Sequence, residues 1–310
     1  MRYGRPMRLL VISARYPTVD RPAAGAFVRD RLQDPRLKSL VVAPGHYGGS
    51  TWMRYAALLW RGLTARGHFD GVEGHFVVPS GFIALVVARV RRLPLVVYAH
   101  GGDVREMAHR NRLMRWAARR AIRGADEVVA NSPETAALVA RLGSEATVVA
   151  PGIDLDRFTP QDRPAGKRVL YLGGDVPHKG IDVARGLADT LVGPGIREVD
   201  PAEIPALMSS HSVVLVPSLA EPFGLAAAEA IASGRWVVAR AVGGLIDIVS
   251  EGVNGTLVSD GDFAGALASV PDYDPATVAA TARRFSIDEH RRRMAEIWGA
   301  VLQRRGTTAG

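Results

Sequence analysis

The chain of 310 residues contains no cysteine. That absence excludes a disulfide framework, thiolate zinc sites, iron–sulfur clusters and a cysteine nucleophile. No unbroken run of about 20 apolar residues of the kind a spanning helix needs is present. The longest candidate, 81–100, is interrupted by Arg89, Arg91 and Arg92. The start of the chain lacks a secretory cleavage pattern, so a cytoplasmic protein is expected, with peripheral contact at the inner membrane face as an option. Aromatic residues are scarce at 6%, and no recognised nucleic-acid-binding module is present, so nucleic acid is not an expected partner. No Gly-x-Gly-x-x-Gly follows the first strand and no Gly-Lys-Ser/Thr loop occurs, which argues against a nicotinamide dehydrogenase or a P-loop enzyme. The histidines at 46, 68, 75, 109, 178, 211 and 290 show no metal-ligand spacing. The triplet Asp154-Leu155-Asp156 follows Pro151-Gly152 and reads as turn and cap chemistry, not as a metal site.

Apolar residues make up 47%, enough for a large packed core, and the length fits two domains. Net charge is +8 and uneven. Residues 1–150 carry 23 Lys and Arg against 11 Asp and Glu, a balance of +12; residues 151–310 carry 16 against 20, a balance of −4. Such a cationic first half fits an anionic partner, although Arg-rich codon usage explains it equally well.

Short apolar runs at 7–12, 39–43, 74–78, 95–99, 127–130 and 147–150 read as buried strands in the first half. Runs at 168–172, 213–216, 236–239 and 256–258 do so in the second. Helical stretches are expected between them at 103–123, 133–142, 225–233 and 275–284. This alternation predicts an α/β protein with parallel sheets, and Pro151 to Pro160 marks a boundary followed by a polar linker at 161–167. In such sheets ligands bind at the carboxyl ends of the strands. Residues 287–305 read as an amphipathic helix with Ala295, Ile297, Trp298, Val301 and Leu302 on its apolar side. Within 105–123, Arg112, Arg115, Arg119 and Arg123 share one helical face, with Leu113, Trp116, Ala117 and Ile122 expected to be buried. The segment 52–61 mixes Trp, Met and Arg and reads either as an interfacial helix or as core.

Pro217 to Ala230 carries the clearest chemistry. A strand ends, a loop presents Glu221, and Pro222-Phe223-Gly224 opens an Ala-rich helix. The amides and positive dipole end of that helix suit a phosphate without a metal. Glu229 lies in its second turn, where a carboxylate can bind ribose hydroxyls, and Glu221 can bind hydroxyls of a sugar. A helix cap with a surface Glu is the alternative.

This Glu-Pro-Phe-Gly-Leu segment with a second Glu eight residues on resembles the signature of the family 4 glycosyltransferases, retaining enzymes of the GT-B fold. Tyr171 to Asp182, Val149 to Pro160 and Ala241 to Val258 resemble further family segments in the same order. His100-Gly101-Gly102-Asp103, and Arg15-Tyr16-Pro17 followed by Gly25-Ala26-Phe27, resemble first-half loops of the subgroup acting on cell-surface glycans. The resemblance implies two Rossmann-like domains facing a cleft: an acceptor domain at 1–155, a shortened donor domain at 156–286, and a terminal helix at 287–310 crossing back to the first. It implies a metal-independent, cofactor-free transfer of a hexose from a nucleoside-diphosphate sugar to a glycan, lipid-linked or small-molecule acceptor. Lys179 would neutralise the donor diphosphate, Glu229 hold the ribose, and Glu221 with Phe223, Gly224 and Leu225 hold the sugar and phosphates. Gly173 and Gly174 would line the same loop, His100 would contact the sugar, and Gly25 would allow close approach to the diphosphate. Two departures stand out. Gly174 occupies the place of a family Arg, with Arg240 the candidate replacement and an ordinary exposed Arg the alternative. The stretch after Lys179 also lacks about one βα unit, which moves the expected base-binding turn to 197–199. A catalytically silent glycan- or partner-binding protein of this fold, or a sugar-nucleotide epimerase, remains the alternative.

Overall fold

A computed structural model describes residues 6–18, 25–43 and 50–307. The histidine at 46 lies outside them. The chain divides into two compact units, one formed by residues 1–150 with 290–310 and the other by 151–289.

The first unit runs β1 (Met7–Ser13), α1 (Ala26–Leu32), β2 (Leu37–Val42), α2 (Thr51–Thr64), β3 (Gly71–His75), α3 (Phe82–Arg91), β4 (Leu95–Ala99), α4 (Gly102–Arg105), α5 (Arg112–Gly124), β5 (Glu127–Ala130), α6 (Pro133–Leu142) and β6 (Thr147–Val148). The strands form one parallel sheet in the order β2-β1-β3-β4-β5-β6. Alternation along β1 shows why it is buried on both faces. Leu10 and Ile12 join α2, α3, α5 and α6 in one apolar layer, whereas Leu9 and Val11 join α1 in the other.

The second unit runs β7 (Val169–Leu172), α7 (Ile181–Leu187), β8 (Thr190–Val192), α8 (Ile204–Ser209), β9 (Val213–Val216), α9 (Leu225–Ala232), β10 (Trp236–Arg240), α10 (Leu245–Ile248), β11 (Gly255–Val258), α11 (Phe263–Ala268) and α12 (Pro275–Ala280). Its parallel sheet has the order β11-β10-β9-β7-β8. The linker at 161–167 is anchored: the buried Arg235 guanidinium donates to the carbonyls of Gln161 and Asp162.

A final helix, α13 (Ile287–Thr307), completes the first unit's second layer through Met294, Trp298 and Val301. Ala295, Ile297 and Leu302, expected on its apolar side, are only partly covered, and Met294 and His290 are buried in their place.

Three other expectations are corrected. Only 74 and 75 of the stretch 74–78 are strand; β3 covers 71–75 and ends because Phe76 adopts a positive φ of 68°. The stretch 103–123 is not one helix: α4 gives way to a short 3-10 turn, Met107–His109, and Asn111 caps the new start of α5 by accepting from the Met114 amide at 2.8 Å. In α5 the buried face is Ala117, Ala118, Ala121 and Ile122, while Leu113 and Trp116 are exposed.

Among the described residues no helix is long and apolar enough to cross a membrane.

Candidate functional site

In both sheets the first strand has neighbours reached by connections on opposite sides, β2 and β3 around β1, β8 and β9 around β7. A crevice opens at the carboxyl ends of strands where the connections diverge in this way.

In the second unit the loops after β7, β9 and β10 converge at that point. The Leu219 amide donates to the His178 carbonyl at 2.8 Å, and the Gly244 amide to the Glu221 carbonyl at 2.9 Å. Gly180 permits the first approach: it has φ +74°, and a Cβ there would lie 2.3 Å from the Pro217 oxygen. These ties bring Lys179 Nζ to 2.6 Å from Glu221 Oε2, with Ser218 Oγ 3.4 Å from the same oxygen. Sequence reasoning singled out both residues, and the structure makes them an ion pair.

Gly224, at φ +107°, turns the loop into α9, whose first intrahelical bond runs from Ala228 to Gly224. The amides ahead of it have no acceptor within the helix. Small residues Ala227, Ala228 and Ala230 are buried and let the helix lie close to the sheet. Glu229 stands one turn in, half-buried. Phe223 is core: its ring meets that of Phe285 at 5.6 Å, so only its backbone is left as a candidate contact.

Gly173 and Gly174 follow β7. Gly174 has φ +74°, and a Cβ would lie 2.9 Å from the Pro194 oxygen. Arg240 Nε donates to the Pro217 carbonyl at 3.3 Å, and its guanidinium lies over the Phe263 ring. Sequence reasoning missed a second cation on this loop: Arg185 Nη2 pairs with Asp175, the residue after Gly174, at 2.9 Å. The turn at 193–197, closed by a Gly193 to Arg197 bond, follows β8 and packs on this loop through the Asp175 amide to Pro194 carbonyl bond. His178 is exposed. Asp154 accepts from the amides of Asp156 and Arg157 as a turn cap.

In the first unit His100 follows β4. Its backbone is fixed by Asp103, which accepts from the His100 amide at 3.0 Å and from the Val77 amide, and by Asn131, which donates to its carbonyl. Burial lifts the Asp103 carboxyl to about 6 against those amide bonds. Phe27, Phe76 and Tyr98 pack around the His100 ring. Gly25 starts α1 at φ +75°, and a Cβ would meet the Arg15 carbonyl at 2.7 Å, so this glycine closes the loop onto its own backbone. His75, at the end of β3, is 1% exposed. It joins His100 to a carboxylate, Glu73, which sequence reasoning passed over. A charge inside an otherwise apolar strand was the available signal.

Residues 8–157 match Glycosyltransferase Family 4, and residues 155–270 match Glycosyl transferases group 1. A D-inositol 3-phosphate glycosyltransferase of Kribbella flavida is 32% identical over 72% of this chain and 67% of its own length. The chain belongs to glycosyltransferase family 4. The like-named protein of Geodermatophilus obscurus is 31% identical over 74% of this chain, which spans 63% of that protein. Among solved structures, Anabaena Alr3699/HepE in complex with UDP-glucose superposes with a TM-score of 0.74 at 20% identity, covering 95% of this chain and all of that one. Sucrose-phosphate synthase of Thermosynechococcus elongatus gives 0.67 at 19% identity, over 98% of each chain. The fold is GT-B: two Rossmann-like units with parallel sheets.

Proposed function

We propose that this family 4 member is a retaining glycosyltransferase that moves a hexose from a nucleoside-diphosphate sugar to an acceptor hydroxyl without a metal ion. The second unit holds the donor and the first unit the acceptor. The observation that carries this is the Lys179–Glu221 pair at the carboxyl ends of β7 and β9, beside the start of α9. With no donor bound, Glu221 neutralises Lys179. A diphosphate takes the ammonium over and meets the α9 amides, where its charge is stabilised. Glu221 is then released to accept hydroxyls of the sugar, and Glu229 holds the ribose. Gly173 and Gly174 let the loop come close to the phosphates, Arg240 or Arg185 supplies a second cation, and the turn at 197–199 receives the base. His100 meets the sugar from the first unit. The bond between the anomeric carbon and the leaving phosphate breaks, the acceptor oxygen bonds to the same face, and its proton passes to the departing diphosphate. The UDP-glucose complex of HepE and the naming of the relatives as sugar transferases support a nucleotide-sugar donor.

The direct test is melting temperature with UDP, GDP and ADP and their sugars, followed by hydrolysis and transfer assays with the sugar that binds. A ligand held only by the folded state raises the melting temperature. Lys179→Ala and Glu229→Ala should each lower turnover by about 10²–10³-fold, the usual loss for one charge-stabilising group. Normal turnover in Glu229→Ala overturns the donor site. Binding without hydrolysis or transfer favours a silent relative, and conversion of the sugar without an acceptor favours an epimerase.

The first unit is also read as the face that meets an anionic bilayer. In α2 only Leu58 and Gly62 are buried, while Trp52 and Trp60 are 73% and 68% exposed. In α5 Trp116 stands among Arg112, Arg115, Arg119, Arg120 and Arg123, with no acidic residue in that helix. Both helices pack on α3 in the same layer. Aromatic side chains beside a basic edge fit a lipid headgroup region.

A further inference from the structure

A buried chain of polar contacts runs under His100. Glu73, in the middle of β3, is fully buried. Its Oε2 accepts from Arg31 Nη2 at 2.7 Å and from Trp298 Nε1 at 2.8 Å, and its Oε1 lies 2.9 Å from His75 Nε2. His75 Nδ1 lies 3.0 Å from His100 Nε2. The four partners come from α1, α13, β3 and the loop after β4.

The protonation pattern follows from the first group. Burial raises the Glu73 carboxyl, but the Arg31 guanidinium and the bonds from His75 and Trp298 outweigh it and hold it at about 2. It is therefore a carboxylate, which only accepts. His75 Nε2 must carry a proton. Burial keeps His75 below its ordinary value, against the pull of Glu73. A neutral imidazole has one N–H, so His75 Nδ1 is bare and accepts from His100 Nε2. His100 is also held well below its ordinary value, first by burial and then by His75, His290 and Arg15. Its single proton is thus on Nε2. Its Nδ1 makes no hydrogen bond to any described residue.

We propose that Glu73 and His75 are positioning residues that fix the tautomer and orientation of His100, so that its bare Nδ1 accepts a hydrogen bond from a hydroxyl of the bound sugar. The second half of this statement rests on the functional reading above. The first half does not. Arg31 and Trp298 are the anchors, since both donors on Oε2 decide which carboxylate oxygen is left for His75.

That anchoring makes the test an inversion. In Glu73→Gln the amide oxygen is held at the Oε2 place by Arg31 and Trp298, and the NH₂ faces His75 Nε2. His75 must then carry its proton on Nδ1 and donate to His100 Nε2, which moves the His100 proton to Nδ1. Nitrogen-15 and carbon-13 shifts of the rings, read on unliganded protein, should report Nε2–H for His100 in the parent and Nδ1–H in the variant. An exposed histidine would not invert on a substitution two residues away. A ring that stays Nε2–H in Glu73→Gln overturns the relay. Should the variant not fold, the parent alone decides: a nitrogen–nitrogen coupling across the hydrogen bond must join His75 Nδ1 to His100 Nε2, with the proton on His100. A proton on His75 Nδ1 overturns the relay as well. For the hydroxyl contact, the parent and Glu73→Gln are compared by thermal shift with UDP and with UDP-glucose. An unchanged UDP shift with a reduced extra shift from the sugar supports it, and an equal sugar increment in both overturns it. If none of the UDP, GDP and ADP compounds named above shifts the parent, the donor reading and the hydroxyl contact fall together, while the ring measurement stands by itself.

Discussion

Gly174 shows how one backbone angle answers a question of charge. The family resemblance places an Arg there, yet the residue sits at φ +74° with the Pro194 oxygen 2.9 Å from where a Cβ would be. A left-handed conformation costs a side-chain-bearing residue roughly 1–2 kcal/mol. Restoring the family residue should therefore weaken the fold instead of improving the site. We expect Gly174→Arg to lower the melting temperature by about 2–8 °C without tightening UDP binding; tighter binding at unchanged stability would count against this reading. His290 gives a second prediction at this scale. Its Nδ1 donates to the Ala150 carbonyl at 2.7 Å, and burial, with Arg31 nearby, brings its pKa from 6.5 down to about 4. The unfolded chain takes up that proton near the ordinary value and the folded chain does so only near the lowered one. The contribution is thus full above about pH 6.5 and is lost as pH falls toward 4, at most ~3 kcal/mol. His290→Gln, which keeps an N–H for the carbonyl, should flatten urea stability against pH by about one proton in that window. An unchanged slope between the two values would remove the assignment.

At the level of elements, α13 is held by one close fit. The Trp298 indole lies over Gly71, where a Cβ would stand 2.3 Å from its ring. Gly71→Ala should cost about 1–3 kcal/mol by overpacking, and Trp298→Phe about 1–3 kcal/mol because the buried Glu73 carboxylate loses a donor. The smaller ring should also make room for the methyl, so the double variant should lose less than the two single losses combined. Additive urea stabilities would show that the ring and the glycine do not meet. The same helix illustrates what could be read from the chain itself. Strands at 95–99, 127–130 and 213–216 are read to the residue because each is a short Val-rich run closed on both sides by a proline or a polar residue. Thr190–Val192 escapes because three residues carry no period. The single helix expected over 103–123 breaks at a cap that an Asn within a basic run conceals. In the second unit the candidate site is legible since each loop carries its residues within a few positions of a strand end. Lys179 and Glu221 are 42 residues apart, but each sits in its own recognisable loop. In the first unit, Glu73 and Trp298 are 225 residues apart, and no local pattern announces that a terminal helix will supply a hydrogen bond to a strand in mid-sheet.

For the whole molecule, charge and exposed aromatic surface fall on the same unit. Residues 1–150 carry a balance of +12 and the remainder −4, and the large exposed side chains Trp52, Met53, Trp60, Leu113 and Trp116 all belong to α2 and α5 of the first unit. If cations alone mattered, attraction to an anionic surface would be worth about 1 kcal/mol per Arg close to it and would vanish as salt shortens the screening length from ~10 Å at 0.1 M to ~3 Å at 1 M. Partly inserted tryptophans would hold on through that change. Two contributions therefore separate by salt. We expect sedimentation with phosphatidylglycerol vesicles and not with phosphatidylcholine vesicles at low salt, together with a blue-shifted tryptophan emission. High salt should weaken binding strongly but incompletely. Replacing Trp52, Trp60 and Trp116 by Ser should abolish the salt-resistant part, and replacing Arg112, Arg115 and Arg119 by Gln the salt-sensitive part, with the melting temperature little changed because all six side chains are exposed or at the rim. Equal binding to both lipids, or the serine variant binding as the parent does, would show that this face meets something other than an anionic bilayer.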